Sequence, residues 1–281
     1  MLGREKIRSL LLSILILGVF LMIWQIASMP ATGGAQVVDD EYAKLVGAAA
    51  ATGQKSSFPT PVEVGKKLVE QLSNPFYDRG ANDKGIGIQL AWSVSRVALG
   101  FGLAALVAIP LGFVIGMSRL IFNALDPFIQ VLKPISPLAW MPLALFTLKD
   151  SNVSAIFVIF ICSIWPMLIN TAFGVAAVRK EWIDVSRTLE VKPLRKALLV
   201  ILPAAAPTIM TGMRISIGIA WLVIVAAEML VGGTGIGYFV WNEWNNLSIS
   251  NILVAVLLIG VIGMLLDMCF ARLQRAVTYR D

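Results

Sequence analysis

Long apolar runs separated by short charged segments dominate the chain. A helix needs about 20 apolar residues to cross the roughly 30 Å hydrocarbon core of a bilayer. The pattern predicts an all-α, polytopic membrane protein with about six transmembrane helices, at residues 10–29, 92–117, 125–148, 153–178, 204–231 and 251–273. Prolines interrupt the third span at four positions and the fourth at Pro166, and a proline inside a helix breaks or kinks it.

The first apolar run follows the basic residues Arg4, Lys6 and Arg8. A cleaved signal peptide begins in the same way, but its apolar core is shorter, and Ser28-Met29-Pro30 makes a poor cleavage site. We therefore interpret residues 1–29 as an N-terminal tail and a retained first transmembrane helix. A signal peptide is the alternative.

Residues 30–90 are polar and form the one extended soluble segment expected, a periplasmic loop. Within it, Pro59 and Pro61 precede a periodic apolar face, which predicts a short amphipathic helix at 61–72 lying along the membrane surface. That face consists of Val62, Val64, Leu68, Val69 and Leu72. A disordered loop is the alternative. Residues 91–281 are expected to form a core of five spans with one charged cytoplasmic loop, 179–203.

Composition supports a membrane protein and narrows the chemistry. Hydrophobic residues make up 58% of the 281 and charged residues only 14%, against about 25% charged in soluble domains. The absence of histidine removes the commonest general base and metal ligand. The cysteines, Cys162 and Cys269, lie inside apolar runs and are interpreted as small apolar side chains. No metal site and no nucleic-acid partner are therefore expected.

The distribution of lysine and arginine predicts the orientation, because cytoplasmic loops are enriched in both. Basic residues concentrate before the first span, at Arg119, in the 179–196 segment and in the C-terminal tail. Both termini are therefore expected in the cytoplasm, on the same side as the 179–203 loop.

Five charged residues fall inside or at the ends of the predicted spans: Arg96, Lys133, Arg214, Glu228 and Asp267. A charge at a helix centre costs about 2.5–3.5 kcal/mol on insertion scales, so each needs a partner or water. We expect Arg96 and Lys133 to snorkel from helix ends, and Asp267 to lie near Arg272. Arg214 and Glu228 are separated by about 21 Å of helix and cannot pair with each other.

The loop 179–203 is charged and also amphipathic, since apolar residues can line one side of two short helices there: Val185, Leu189, Leu194 and Leu198. Charge and amphipathic spacing alone support two interpretations equally: a surface that docks a soluble partner, or a charged face that is simply solvated.

This loop resembles the cytoplasmic loop of permease subunits from binding-protein-dependent ABC importers. The family pattern is Glu-Ala-Ala, three residues, Gly, nine residues, then Ile-x-Leu-Pro. Here the spacing is kept, with matching positions at Asp184, Val185, Ser186, Val200, Leu202 and Pro203. Glu190 stands where the family has glycine, which suits a tight turn. We therefore expect a wider turn, or one made by Lys192 and Pro193.

Further motifs from Phe58 to the C-terminus resemble the branch that imports nitrate, bicarbonate, taurine and aliphatic sulfonates. They occur in order at 58–64, 125–127, 137–143, 202–207, 211–214, 220–223, 226–229 and 235–238. Residues 38–42 and 241–246 look most like cyanobacterial nitrate permeases, with bicarbonate permeases as close relatives.

The resemblance implies a type I ABC importer in the bacterial inner membrane. Two permease copies, expected as a homodimer in lipid, would form the pore. Two ATPase subunits would bind ATP and magnesium, and a solute-binding protein would deliver the cargo. The chain has no Gly-x-x-x-x-Gly-Lys-Ser/Thr loop, so it is expected to be neither an enzyme nor a cofactor carrier. The resemblance places coupling to the ATPase on Asp184, Val185, Ser186, Arg187, Leu189, Glu190, Leu202 and Pro203.

Candidates for the substrate pathway are Arg214, Glu228, Trp140, Met141 and Trp221. Arg214 is the strongest candidate for attracting an anion, although a role in structure or coupling is an alternative. Ordinary packing is the alternative for Trp140, Met141 and Trp221.

Two other classes of protein compete with an importer. An intramembrane serine protease would need a base, usually histidine, and an aspartyl protease would need two central aspartates. An ATP-independent channel or carrier is the remaining alternative interpretation, but such a protein would not need the 179–203 loop.

Overall fold

The computed structural model describes residues 2–29, 58–80 and 83–277. These residues confirm the all-α expectation. Their helices are α1 (Leu2–Ala27), α2 (Pro61–Ser73), α3 (Ile86–Met117), α4 (Arg119–Leu132), α5 (Pro137–Leu148), α6 (Ser151–Ala176), α7 (Lys180–Thr188), α8 (Pro193–Lys196), α9 (Leu202–Val231), α10 (Ile236–Asn245) and α11 (Ile249–Val277). A π-helical turn, Ala197–Ile201, joins α8 to α9.

Five stretches among the described residues are long and apolar enough to cross a membrane: Ile7–Ala27, Ile86–Met117, Ser151–Ala176, Pro193–Val231 and Ile249–Val277. The helices α4 and α5 pass the same test together, but they are bent by 91° at the break between them. Ser136, extended before Pro137, makes this break, because a residue preceding proline disfavours the helical region. The spans therefore number five, or six with the bent pair.

The chain divides into two compact units, and the first comprises Met1–Ser73 with Glu243–Val254. Within it, the Trp24 indole N–H donates to the Pro59 carbonyl at 3.1 Å. The helix α2 begins with a capping box, in which Thr60 and Glu63 each accept a backbone N–H from the other. The amphipathic helix expected at 61–72 is thus confirmed as a helix, and its place on the membrane surface stays a prediction.

The second unit comprises Asn74–Asn242 with Ala255–Asp281. Its centre is the packing of α6 between α3 and α9. Glycines bring the backbones of α3 and α6 together, since a Cβ on Gly112 would lie 2.7 Å from the Leu168 carbonyl oxygen. A Cβ on Gly100 would lie equally close, 2.7 Å, to the Ile159 side chain.

Just before α3, Asp78 and Lys84 form an isolated antiparallel bridge. The Lys84 ammonium lies 3.2 Å from the Asp78 carboxylate. The Gly80 backbone N–H, which donates to this carboxylate, and then Lys84 lower the pKa of Asp78.

Candidate functional site

The loop 179–203 is called the coupling loop below, after the prediction that it couples to an ATPase, and it folds into α7, a tight turn and α8. The turn is a Schellman motif, in which Val191 N–H donates to the Ser186 carbonyl at 3.1 Å and Glu190 N–H to the Arg187 carbonyl at 2.9 Å. Glu190 occupies the left-handed position, with φ of 50°. The turn is therefore tight and centred on Glu190. The expectation of a wider turn, or of one made by Lys192 and Pro193, was wrong.

One side of the coupling loop packs against the ends of the spans. The Ser186 hydroxyl is buried and donates to the Ile183 carbonyl at 2.6 Å. Ile183 and Leu202 pack against a buried cluster of Val175, Val178, Ile201, Ala205 and Ile209. Ser186 and Leu202, two of the residues expected to couple to an ATPase, therefore lie on the side of the loop that packs against the spans.

The other side of the loop is apolar and exposed. Leu189 is 70% exposed, Leu194 72% and Val185 59%. Asp184 and Arg187 form an exposed ion pair beside them at 3.3 Å, and Glu190 is also exposed. Pro203 is half-buried.

At the other ends of α6 and α9, a buried ion pair joins Arg96 of α3 to Glu228 of α9. The Arg96 Nη1 atom lies 2.7 Å from Glu228 Oε1, with the side chains only 9% and 1% exposed. The Arg96 guanidinium also contacts Asn152 of α6, whose Oδ1 accepts from Nε at 3.1 Å. One arginine thus connects three apolar helices.

The turn after α9, residues 232–237, lies over the Glu228 carboxylate. Gly237 N–H donates to Glu228 Oε2 at 3.0 Å, and Arg96 donates to the Thr234 carbonyl at 2.6 Å. A Cβ on Gly235 would lie 2.2 Å from the Glu228 carboxyl carbon. Only glycine therefore allows the turn to approach the carboxylate this closely.

Side chains on one face of α3 complete this arrangement. Gln89 Oε1 accepts the Gly235 N–H at 2.6 Å, and Ser93 Oγ accepts the Ile236 N–H at 2.9 Å. Ser93 Oγ also lies 2.9 and 2.8 Å from the two Glu228 oxygens. Residues Gln89, Ser93, Arg96, Asn152 and Glu228 with the turn 232–237 are called the Arg96 cluster below.

A cavity of about 180 Å³ opens beside the Arg96 cluster. Arg96 and Glu228 line its buried side, whereas Trp92, Ser151 and Asn152 form an exposed rim. The Arg96 guanidinium carbon lies 5.5 Å from the centre of the Trp92 ring.

A second ion pair, Arg214 with Asp267, lies between α9 and α11 and is half-exposed. Both distances, Nε–Oδ1 and Nη2–Oδ2, are 2.6 Å, and the side chains are 41% and 50% exposed. Asp267 also lines an apolar cavity of about 430 Å³ between the same helices, together with Ile217, Trp221, Gly260 and Gly263.

The remaining pathway candidates are mostly enclosed by the chain itself. Met141 is buried and Trp140 half-buried. Trp221 is buried, and its indole N–H donates to the Ile259 carbonyl at 2.9 Å. Within residues 2–29, 58–80 and 83–277, no group of three or more carboxylate, cysteine or histidine side chains has a metal-binding arrangement.

The structure corrects two expectations about charges. Arg96 does not snorkel from a helix end but turns inward to Glu228, because α3 begins at Ile86. Asp267 pairs with Arg214 rather than lying beside Arg272. Sequence reasoning missed Gln89, Ser93 and Asn152, although the spacing of Gln89, Ser93 and Arg96 places them on one helix face.

Residues 108–280 match the family described as binding-protein-dependent transport system inner membrane component. The nitrate import permease protein NrtB of Synechocystis sp. is 48% identical, over 80% of this chain and 82% of its own. The bicarbonate transport system permease protein CmpB of Synechococcus elongatus is 41% identical, over 97% of this chain and 91% of its own.

Among solved structures, an inward-facing conformation of the MetNI methionine ABC transporter superposes with a TM-score of 0.60 at 15% identity. The match covers 67% of this chain and 94% of that one. The likeness shows a shared fold over that part of the chain.

Proposed function

Since the chain belongs to the family of binding-protein-dependent transport system inner membrane components, we propose that it is the permease subunit of an ATP-driven importer of a small anion, nitrate and also nitrite. The 48% identity to a nitrate permease supports this cargo. The 41% identity to a bicarbonate permease over nearly the whole chain makes bicarbonate the alternative, followed by taurine or another alkanesulfonate.

The coupling loop is the observation that carries the ATP-driven part of the proposal. Its exposed Val185, Leu189 and Leu194 form an apolar surface beside charged groups, which is the composition of a docking site for a soluble protein. Its buried side is continuous with α6 and α9, so a movement of the docked protein is passed to the spans. The docked protein is proposed to be an ATPase subunit, which supplies ATP and magnesium.

Glu190 supports the assignment of this loop. The importer pattern has glycine at this position, and glycine favours positive φ. Glu190 adopts a φ of 50° in the same place, so the backbone follows the pattern although the side chain does not.

We propose a second copy of the chain as the other half of the pore. The Arg214–Asp267 pair is half-exposed between two apolar helices, and charges exposed to lipid are costly. A water-filled path between two copies related by a two-fold axis would keep the Arg214 and Asp267 side chains hydrated. Arg214 is then the residue proposed to attract the anion.

The proposed orientation places both termini and the coupling loop in the cytoplasm. The Arg96 cluster, at the opposite ends of α6 and α9, then faces outward, where a solute-binding protein delivers the cargo. Both cluster and coupling loop lie in the second unit.

The test is uptake of labelled nitrate into proteoliposomes that hold the complete complex, with nitrite, bicarbonate and taurine as competitors. ATP-dependent uptake blocked by nitrite alone supports the proposal. Block by bicarbonate or taurine keeps the importer and changes the cargo. Uptake without ATP, in a complex active as an ATPase, rejects the importer and favours an anion channel or carrier.

A further inference from the structure

The cavity beside Arg96 has a buried charged side and an open polar rim. Its volume of about 180 Å³ exceeds the roughly 10–15 Å³ that a single water molecule requires, so a small ion with part of its hydration shell fits this space.

Hydrogen-bond donors without a protein acceptor surround the cavity. Asn152 turns its Oδ1 to Arg96, so its amide nitrogen points away from the guanidinium. In the described part of the chain, that nitrogen and the hydroxyls of Ser151 and Thr234 make no hydrogen bond to protein. Arg96 uses four of its five N–H groups, on Asn152, Glu228 and Thr234.

The acceptor on the buried side is already occupied. The Glu228 carboxylate receives Arg96, the Gly237 N–H and Ser93. Arg96 and Glu228 neutralise each other, so the buried side offers a cation no free carboxylate. The Asn152 amide nitrogen and the remaining Arg96 N–H can only donate, and the two hydroxyls can also donate, so the cavity favours an anion. Asp150 precedes Ser151 in the chain, and its Oδ1 caps α6 by accepting the Val153 N–H at 2.8 Å.

We infer that this cavity is a binding site for a small monovalent oxyanion of the nitrate or bicarbonate type, the first position that the anion occupies on entering the permease. The inference rests on the proposed function, which it deepens by assigning the cargo a position. A single negative charge is favoured over two, because the Arg96–Glu228 pair carries no net charge and each uncompensated charge beside its buried side adds to the desolvation cost. The Asn152 amide and the fifth N–H of Arg96 are its main donors.

The test is the thermal unfolding of the complete complex in lipid nanodiscs, without the solute-binding protein. Sodium nitrate and sodium bicarbonate are titrated against sodium chloride at constant ionic strength. A ligand that binds only the folded protein raises the unfolding midpoint in proportion to its occupancy. We expect a saturable rise with nitrate or bicarbonate and none with chloride.

The decisive variant is Asn152→Asp. Aspartate keeps an oxygen for Arg96, so a purely structural residue would tolerate it, but it removes both amide donors and adds a negative charge. We expect the oxyanion-dependent rise to disappear. The matched control is Asn170→Asp on the same helix, whose amide donates to the Pro166 carbonyl, about 27 Å farther along. We expect this control to keep the rise, whatever its own midpoint.

A second variant, Thr234→Val, removes one hydroxyl from the cavity and keeps the carbonyl that Arg96 contacts. It should raise the half-saturating oxyanion concentration several-fold. The inference is overturned if Asn152→Asp keeps the full rise, if chloride gives an equal rise, or if the unmodified complex shows no rise. In the last case, intact ATP-driven uptake would leave the proposed function standing.

Discussion

The guanidinium of Arg214 and the carboxylate of Asp267 form a two-point ion pair between α9 and α11, with both N–O distances at 2.6 Å. Such a paired fork is the geometry in which arginine binds any planar oxyanion. Arg214 is therefore not an isolated cation, and an anion that approaches it meets Asp267 as a competitor. This arrangement suits brief contact in a transport path better than tight binding.

Arg214→Ala should lower ATP-driven anion uptake at least tenfold, which corresponds to about 1.4 kcal/mol. The loss has two sources, the missing cation and the unpaired Asp267. The exchanged double variant, Arg214→Asp with Asp267→Arg, separates them. We expect it to recover the thermal midpoint but not uptake, measured in the same proteoliposomes. Recovery of both would show that the pair is only structural.

Glu190→Gly should stabilise the coupling loop by about 1 kcal/mol, because a non-glycine residue at positive φ is strained by about that amount. Thermal unfolding of the complex measures the effect. Binding of the ATPase subunit should weaken only slightly, since the backbone of the turn is the same and only one exposed charge is lost. A lower midpoint for Glu190→Gly would mean that the Glu190 side chain contributes a stabilising contact.

Leu194→Asp should reduce recovery of the ATPase subunit in a pull-down several-fold while membrane insertion stays intact. Leu194 is 72% exposed, so the change costs little within this chain but places a charge in the proposed docking surface. Reversing charges at Glu190 or Arg187 should act in the same direction. The matched control is Leu247→Asp in the turn between α10 and α11, an exposed leucine outside the coupling loop. Equal recovery for Leu194→Asp and Leu247→Asp would refute docking at this loop.

Glu228→Ala should destabilise the protein by about 3–5 kcal/mol, because removing one partner leaves a buried charge unpaired. Arg96→Met should be similarly damaging alone. The double variant, Arg96→Met with Glu228→Leu, should be milder than the sum of the two, and a double-mutant cycle on the thermal midpoint measures the difference. Simple additivity would contradict a direct coupling between the two side chains.

Gly235→Ala should lower the thermal midpoint by several degrees, because the added Cβ would overlap the Glu228 carboxylate. Gly65→Ala on α2 is the control, since nothing lies within 4 Å of a Cβ there. Alanine in that helix should leave stability unchanged or improve it slightly. If the two variants unfold at the same temperature, the turn does not depend on its contact with Glu228.

The positions of the helices were predictable from the sequence because they depend on local patterns. The amphipathic helix was expected at 61–72 and is found at Pro61–Ser73, since flanking prolines and apolar spacing both act over a few residues. The bend in the third span was predictable from local patterns only in part. Prolines indicated an interruption, whereas its 91° angle depends on packing that no local pattern records.

The partners of the charges were not predictable, because they join residues far apart in the chain. Arg96 and Glu228 are separated by 132 positions. Hydropathy placed the start of the second span near Trp92, which put Arg96 close to a helix end. The helix in fact begins at Ile86, and Arg96 lies deep enough to reach α6 and α9.

The π-helical turn Ala197–Ile201 accommodates one extra residue between the coupling loop and α9. A π turn holds one residue more than an α turn, so the wide turn takes up that residue without rotating the segments on either side of it. Deleting a single residue here would restore a regular helical turn and leave the direction of α7 and α8 nearly unchanged. The same deletion within the regular part of α9 would rotate the loop by about 100° around the helix axis, so this junction is where the chain tolerates a change of length.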